Sequence, residues 1–132
     1  MRYGQYIWDE AGIPDGETWI RVDLGSQIIS IFRAGHEIGT APLIYGADSK
    51  PTPLGTFPIL EKDADHVSNL YDAPMPYTLR LTRDGISIHG SDVRSGAATH
   101  GCLGVPILFA RKLFEHVRVG DEVVVVRETR SS

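Results

Sequence analysis

The chain has 132 residues, of which 42% are hydrophobic, with a single cysteine and a formal net charge of −4. That length suits one domain with one core, and the apolar share excludes wholesale disorder. One cysteine excludes an intrachain disulfide, and the mixed charge lacks the basic face a nucleic-acid binder needs.

Residues 1–17 read as an irregular lead-in, broken by Gly12, Pro14 and Gly16. The opening six residues contain no apolar stretch of the signal-peptide kind, so an export signal is expected to have been cleaved or omitted. No run approaches the roughly 20 apolar residues that span a bilayer. Alternation starts at Thr18, with Ile20, Val22 and Leu24 on one face, and predicts a strand. Gln27 to Arg33 and His36 to Tyr45 predict two more, giving an antiparallel meander. Lys50 to Phe57 is a rigid connection because Pro51 and Pro53 fix backbone angles and cannot donate to a ladder. Phe57 to Glu61 predicts a further strand. Lys62 to Pro76 shows little periodicity and is expected to be a long surface loop of the sort that lids a site.

Tyr77 to Thr82 and Ile86 to His89 alternate on either side of Arg83-Asp84-Gly85, a hairpin signal. Gly90 to Ala98 is a loop of small residues. Pro106 suits the first position of a helix, whose buried stripe is expected at Ile107, Ala110, Leu113, Phe114 and Val117, with Gly120 ending it. Glu122 to Arg127 predicts a last strand, and 128–132 a tail. The fold expected is mostly β, with one principal helix packed against the strands.

The reactive residues gather in one window. His89 stands at a strand end, and His100 and Cys102 lie in Thr99-His100-Gly101-Cys102. A thiolate, not a thiol, is the nucleophile, so a catalytic cysteine needs a nearby base. Histidine titrates near neutrality and fits that role. Gly101 permits a tight turn that can aim amide N–H groups at a developing oxyanion. His36 and His66 read as ordinary surface residues.

Three separated pieces resemble the L,D-transpeptidase catalytic domain, or YkuD family, of bacterial cell-wall enzymes. They are Lys50-Pro51-Thr52-Pro53-Leu54-Gly55-Thr56-Phe57, Gly85-Ile86-Ser87-Ile88-His89-Gly90 and Thr99-His100-Gly101-Cys102-Leu103. They stand in the family's order, and the likeness spans residues 18–127. The resemblance implies a β-sandwich-like fold with its principal helix after the cysteine. It implies that Cys102 attacks the carbonyl of the L-centred bond in a peptidoglycan stem tetrapeptide, forms a thioester and passes the acyl group to an amine acceptor. His89 would be the base, oriented by the carbonyl of Gly90, while His100, Gly101 and Cys102 offer backbone donors to the oxyanion. No metal or cofactor is implied. The implied partners are stem peptides and carbapenem-type inhibitors, and the implied setting is the periplasm or cell envelope, with roles in cell-wall biogenesis and cell shape.

The candidate substrate contacts are Tyr77, Arg94 and Thr99. The family usually carries an Arg two residues after the cysteine, where this chain has Gly104. Arg80 or Arg94 is the expected substitute, and Gly104 is expected to use backbone angles that resist a Cβ. The stretch from His89 to Thr99 is also short for the family. Two other readings stand beside this one: a zinc hydrolase using His89, His100 and Cys102, and a non-catalytic wall-binding module.

Overall fold

The alternating segments at Thr18 and Gln27 become strands because every second side chain must leave water. In the computed structural model, which describes residues 5–44, 52–68, 73–91 and 103–128, β2 (Thr18–Asp23) pairs antiparallel with β3 (Ile28–Arg33). Ile20 lies opposite Ile31 and Val22 opposite Ile29, and all four are fully buried. Each such burial stabilises the fold by about 1.5–3 kcal/mol before entropy is counted. β4 (His36–Pro42) completes the meander on β3. β10 (Glu122–Val126) returns from the far end of the chain and runs parallel to β2, placing Val123 and Val125 in the same core. β5 (Gly55–Pro58) closes the far edge by pairing with β10.

The lead-in is more ordered than its composition suggests. Ile7–Trp8 forms a short β1 on the outer edge of β4, so the first sheet has the order β1-β4-β3-β2-β10-β5. Trp8 lies across Gly39, where a Cβ would come within 2.5 Å of the indole ring. Glycine there is what lets the ring lie down on the sheet. Glu10, two residues on, accepts a 2.7 Å hydrogen bond from the Trp8 indole, ion-pairs with Arg33 at 3.3 Å and lies 3.1 Å from Nε2 of His116. Arg33 also donates to the carbonyls of Ile13 and Pro14. These bonds stitch down a segment that has no periodicity of its own.

The second sheet has the order β6-β7-β8-β9. The stretch expected to be a loop is largely a long hairpin, β6 (Glu61–Ser68) against β7 (Ala73–Arg80), paired from Glu61–Arg80 to Ser68–Ala73. It lacks a clear alternation because β8 (Ser87–Gly90) meets β7 only at Leu79 and Arg80. Beyond that point no strand among the described residues pairs with β7 on that side, and Pro74 and Pro76 are tolerated. β9 (Leu103–Val105) runs parallel to β8, so the residues after Cys102 form a strand before any helix begins.

The helix α1 (Ile107–His116) starts one residue after Pro106, which is its N-cap, and ends at His116 with Val117 as C-cap. Gly120, with φ +98°, belongs to the turn beyond. The buried face is Phe109, Ala110 and Leu113, whereas Ile107 is exposed. Phe109 packs against the rings of Tyr6 and Trp8 at 5.9 and 5.8 Å. Ala110 and Ile107 face Gly90 of β8. The helix therefore touches both sheets, and one buried cluster runs through all three layers.

Candidate active site

Alternation along β8 sorts its residues onto two faces. Gly90 points toward α1, where a Cβ would stand 3.3 Å from both the Ala110 Cβ and the Ile107 Cα. Its lack of a side chain lets helix and strand close up. Ile88 shares that face and is buried. His89 projects from the opposite face and is 8% exposed, low for a histidine at a strand end.

The imidazole is held by its own strand. Nδ1 of His89 lies 2.9 Å from the carbonyl oxygen of Gly90. A carbonyl can only accept, so Nδ1 carries the hydrogen and donates it. In the neutral ring this leaves Nε2 as the basic nitrogen and fixes the plane in which it points. The contact is the one the resemblance implies for the orienting group.

β9 brings the residues after Cys102 beside this histidine. Leu103 pairs with Ile88, Gly104 with His89 and Val105 with Gly90. The Ser91 N–H donates to the Val105 carbonyl at 2.8 Å and prolongs the ladder. On its other side β9 is gripped by Ile44: the Ile44 N–H donates to the Gly104 carbonyl and the Gly104 N–H to the Ile44 carbonyl, both at 2.9 Å. Leu103, the residue after Cys102, is thus the first residue of a strand anchored along both edges.

Other candidates take other places. The Tyr77 ring packs edge-on against Phe114 of α1 at 5.7 Å, and its backbone has φ +56° where the β6–β7 ladder skips a pair. The ring is partly buried against the hydrophobic core. Arg80 donates from Nε to the Thr82 carbonyl at 2.9 Å and from Nη2 to that of Arg83, which commits its guanidinium to the β7–β8 turn. Arg94, Thr99, His100, Gly101 and Cys102 lie outside the described residues. So do two of the three ligands of the zinc alternative; among the described residues no group of three His, Cys, Asp or Glu is placed to hold a metal. Two neighbours of the Gly104 position, buried Ser91 and half-buried Ile44, escaped the sequence reading. Ser91 is hidden in a run of small residues, and Ile44 carries no motif at all.

The profile of the L,D-transpeptidase catalytic domain, YkuD, matches residues 17–125. The chain belongs to this family. L,D-transpeptidase 1 of Mycobacterium tuberculosis is 27% identical over 133 residues, which cover 87% of this chain and 53% of that protein. An Enterococcus faecium L,D-transpeptidase, solved as a cysteine-to-serine mutant, superposes with a TM-score of 0.76 at 27% identity, over 84% of this chain and 50% of its own. An L,D-transpeptidase in complex with imipenem gives 0.77 at 25% identity, over 83% and 58%. The chain spans about half the length of the first of these relatives.

Within the L,D-transpeptidase domain, Gly104 is the departure to explain. Its φ is not in the left-handed region, so the expected conformational reason for glycine does not hold. The reason is space. A Cβ at 104 would stand 2.8 Å from Cγ1 and 3.1 Å from Cδ1 of Ile44, and 3.1 Å from the Cβ of Ser91.

Proposed function

We propose that this domain is a cysteine-dependent L,D-transpeptidase acting on peptidoglycan stem peptides in the periplasm or cell envelope, with Cys102 as nucleophile and His89 as base. The observation that carries the reading is the His89–Gly90 bond, beside the strand that begins one residue after Cys102, in a chain of this family. The bond presents Nε2 as a proton acceptor of fixed direction, which is what a thiol nucleophile requires.

In this reading Nε2 of His89 takes the Cys102 proton as sulfur attacks the carbonyl carbon of the L-centred bond. Backbone N–H groups at 100–102 receive the oxyanion. The C–N bond then breaks, and the imidazolium returns its proton to the departing amine of the terminal D-residue. The thioester is next attacked by an acceptor amine, which loses its proton to Nε2. Collapse of the second tetrahedral adduct expels the thiolate, and the imidazolium reprotonates it. The Gly90 carbonyl holds the ring throughout and stabilises it when charged, so no third carboxylate is needed. Arg94 and Thr99 are proposed to contact the donor stem, whereas the Tyr77 contact with Phe114 favours a packing role for that ring.

The test is incubation with a purified stem tetrapeptide, with mass spectrometry for exchange, cross-linked product and tripeptide. Exchange or cross-linking is expected; tripeptide alone would make the enzyme a hydrolase. Cys102→Ala is expected to abolish turnover and the mass shift with imipenem, while the melting temperature stays within a few degrees. A folded Cys102→Ala protein with activity within tenfold of the parent would overturn the assignment. A parent that never gains the imipenem mass would favour a non-catalytic wall-binding module.

A further inference from the structure

We propose that Ile44 is a positioning residue for the reactive strand pair, setting β9 against His89 through a steric fit with Gly104. The inference rests on the proposed nucleophile and base and adds a residue to their support.

In a parallel ladder, residues in register project to the same face. Gly104 is in register with His89, so the side-chain direction at 104 and the imidazole share one face of the sheet, with Ser91 just past the end of β8. Ile44 fills this direction: its Cγ1 stands 2.8 Å from where a Cβ at 104 would be. The same residue makes both backbone bonds to Gly104. Backbone bonds alone fix the height of β9 along its neighbour. The side chain adds a stop against sliding or rolling, because the space it occupies is bounded by Gly104 on one side and Ser91 lies close to the same point. Leu103 separates this clamp from Cys102, so a shift of Gly104 by a few tenths of an ångström is passed to the thiol through one residue. Positioning errors on that scale are felt strongly in catalysis.

The experiment is a double-mutant cycle on Gly104→Ala and Ile44→Ala, with Ile44→Val as the conservative variant. Two rates are read: alkylation of the Cys102 thiol by iodoacetamide across pH, and tetrapeptide exchange. Gly104→Ala in the parent is expected to slow alkylation at neutral pH by about tenfold, because the new methyl must displace Ile44 and β9 together. Ile44→Ala alone is expected to cost about threefold, and Ile44→Val less than about twofold. In the Ile44→Ala background the Gly104→Ala step is expected to cost less than about twofold, since both Ile44 atoms are then gone and only the Ser91 Cβ, at 3.1 Å, still presses on the new methyl.

A merely structural role would lower melting temperature without moving the pH profile of alkylation. Equal Gly104→Ala penalties in both backgrounds, or losses that track melting temperature alone, overturn the proposal. If the parent performs no exchange yet the coupling appears in alkylation, the proposed activity fails and the positioning role stands. If exchange occurs and the coupling is absent, the reverse holds.

Discussion

The two ends of α1 are fastened by opposite means. At the N-terminal end the helix meets β8 through missing side chains: Gly90 makes room for Ile107 and Ala110, and on the other face Gly104 makes room for Ile44. At the C-terminal end the joints are charged. Lys62 of β6 donates to the carbonyls of Phe114 and Val117 at 2.6 and 2.8 Å and lies over the Phe114 ring. Burial pushes the Lys62 ammonium below its usual pKa, partly offset by Asp121. His116 turns Nδ1 to the Lys112 carbonyl and Nε2 to Glu10. Steric joints hold position to fractions of an ångström and have no reach, which suits the end beside His89. Charged joints tolerate small displacements and bind distant segments, which suits the end where the lead-in and the long hairpin must be tied in.

The comparison predicts that changes at the steric end act on turnover and changes at the charged end on stability. The largest effect is expected from Gly104→Arg, which puts a long side chain where even a methyl collides with Ile44. Tetrapeptide exchange should fall by about a hundredfold or more, equivalent to about 2.7 kcal/mol in the barrier. Steady-state kinetics that instead show higher catalytic efficiency would mean that the pocket still accepts the family's Arg. Lys62→Met keeps the apolar stem and removes two charge-assisted bonds to the helix end. It is expected to cost about 2 kcal/mol in denaturant unfolding, with kcat per folded molecule within about twofold. A large loss of kcat at unchanged stability would erase the contrast between the ends.

The smallest effect sharpens the comparison through pH. The Trp8 indole N–H, then the hydrogen bond and charge of Arg33 and the charge of His116, hold the Glu10 carboxyl below its usual value of 4.5 despite burial. A depressed carboxylate stabilises the fold above its unfolded pKa, and the gain is lost as pH falls through the folded one. Glu10→Gln should therefore be less stable at pH 7 by about 0.5–1 kcal/mol, given the solvent screening of a partly exposed pair. The gap should close as pH drops below 4.5. A gap that persists at low pH would trace the loss to packing rather than charge.

What was legible in the chain follows the same division. The meander could be read because both faces of β2 and β3 are in regular environments and their partners are near in sequence. The β6–β7 hairpin could not, because among the described residues most of it has a strand on one side only and no repeating demand for apolar residues. The helix was found with Ala110, Leu113 and Val117 on its buried stripe, but the start of the stripe was not: Ile107 is exposed and Phe109 is buried. Three apolar residues in a row, Ile107, Leu108 and Phe109, make several stripes equally plausible, and only contact with Tyr6 and Trp8 selects Phe109. At the site, His89 stands out from a short motif at a strand end, and the Gly90 carbonyl is what the family resemblance implies. Ile44 does not, since its meaning arises only when residues sixty positions apart are laid side by side.

The place of β10 carries a consequence for how the molecule is made. It is the last of the described strands yet an interior one in its sheet, lying between β2 and β5. As the polypeptide leaves the ribosome, β2 keeps an open edge and β5 has no strand to join until residues 122–126 emerge. The first sheet can therefore be completed only after residue 126 has emerged, and its closing step spans about a hundred residues of sequence, a slow kind of contact to form. A nascent chain in that interval exposes pairing edges to any neighbour, so a stop codon just ahead of Glu122 should yield aggregate rather than a smaller working domain.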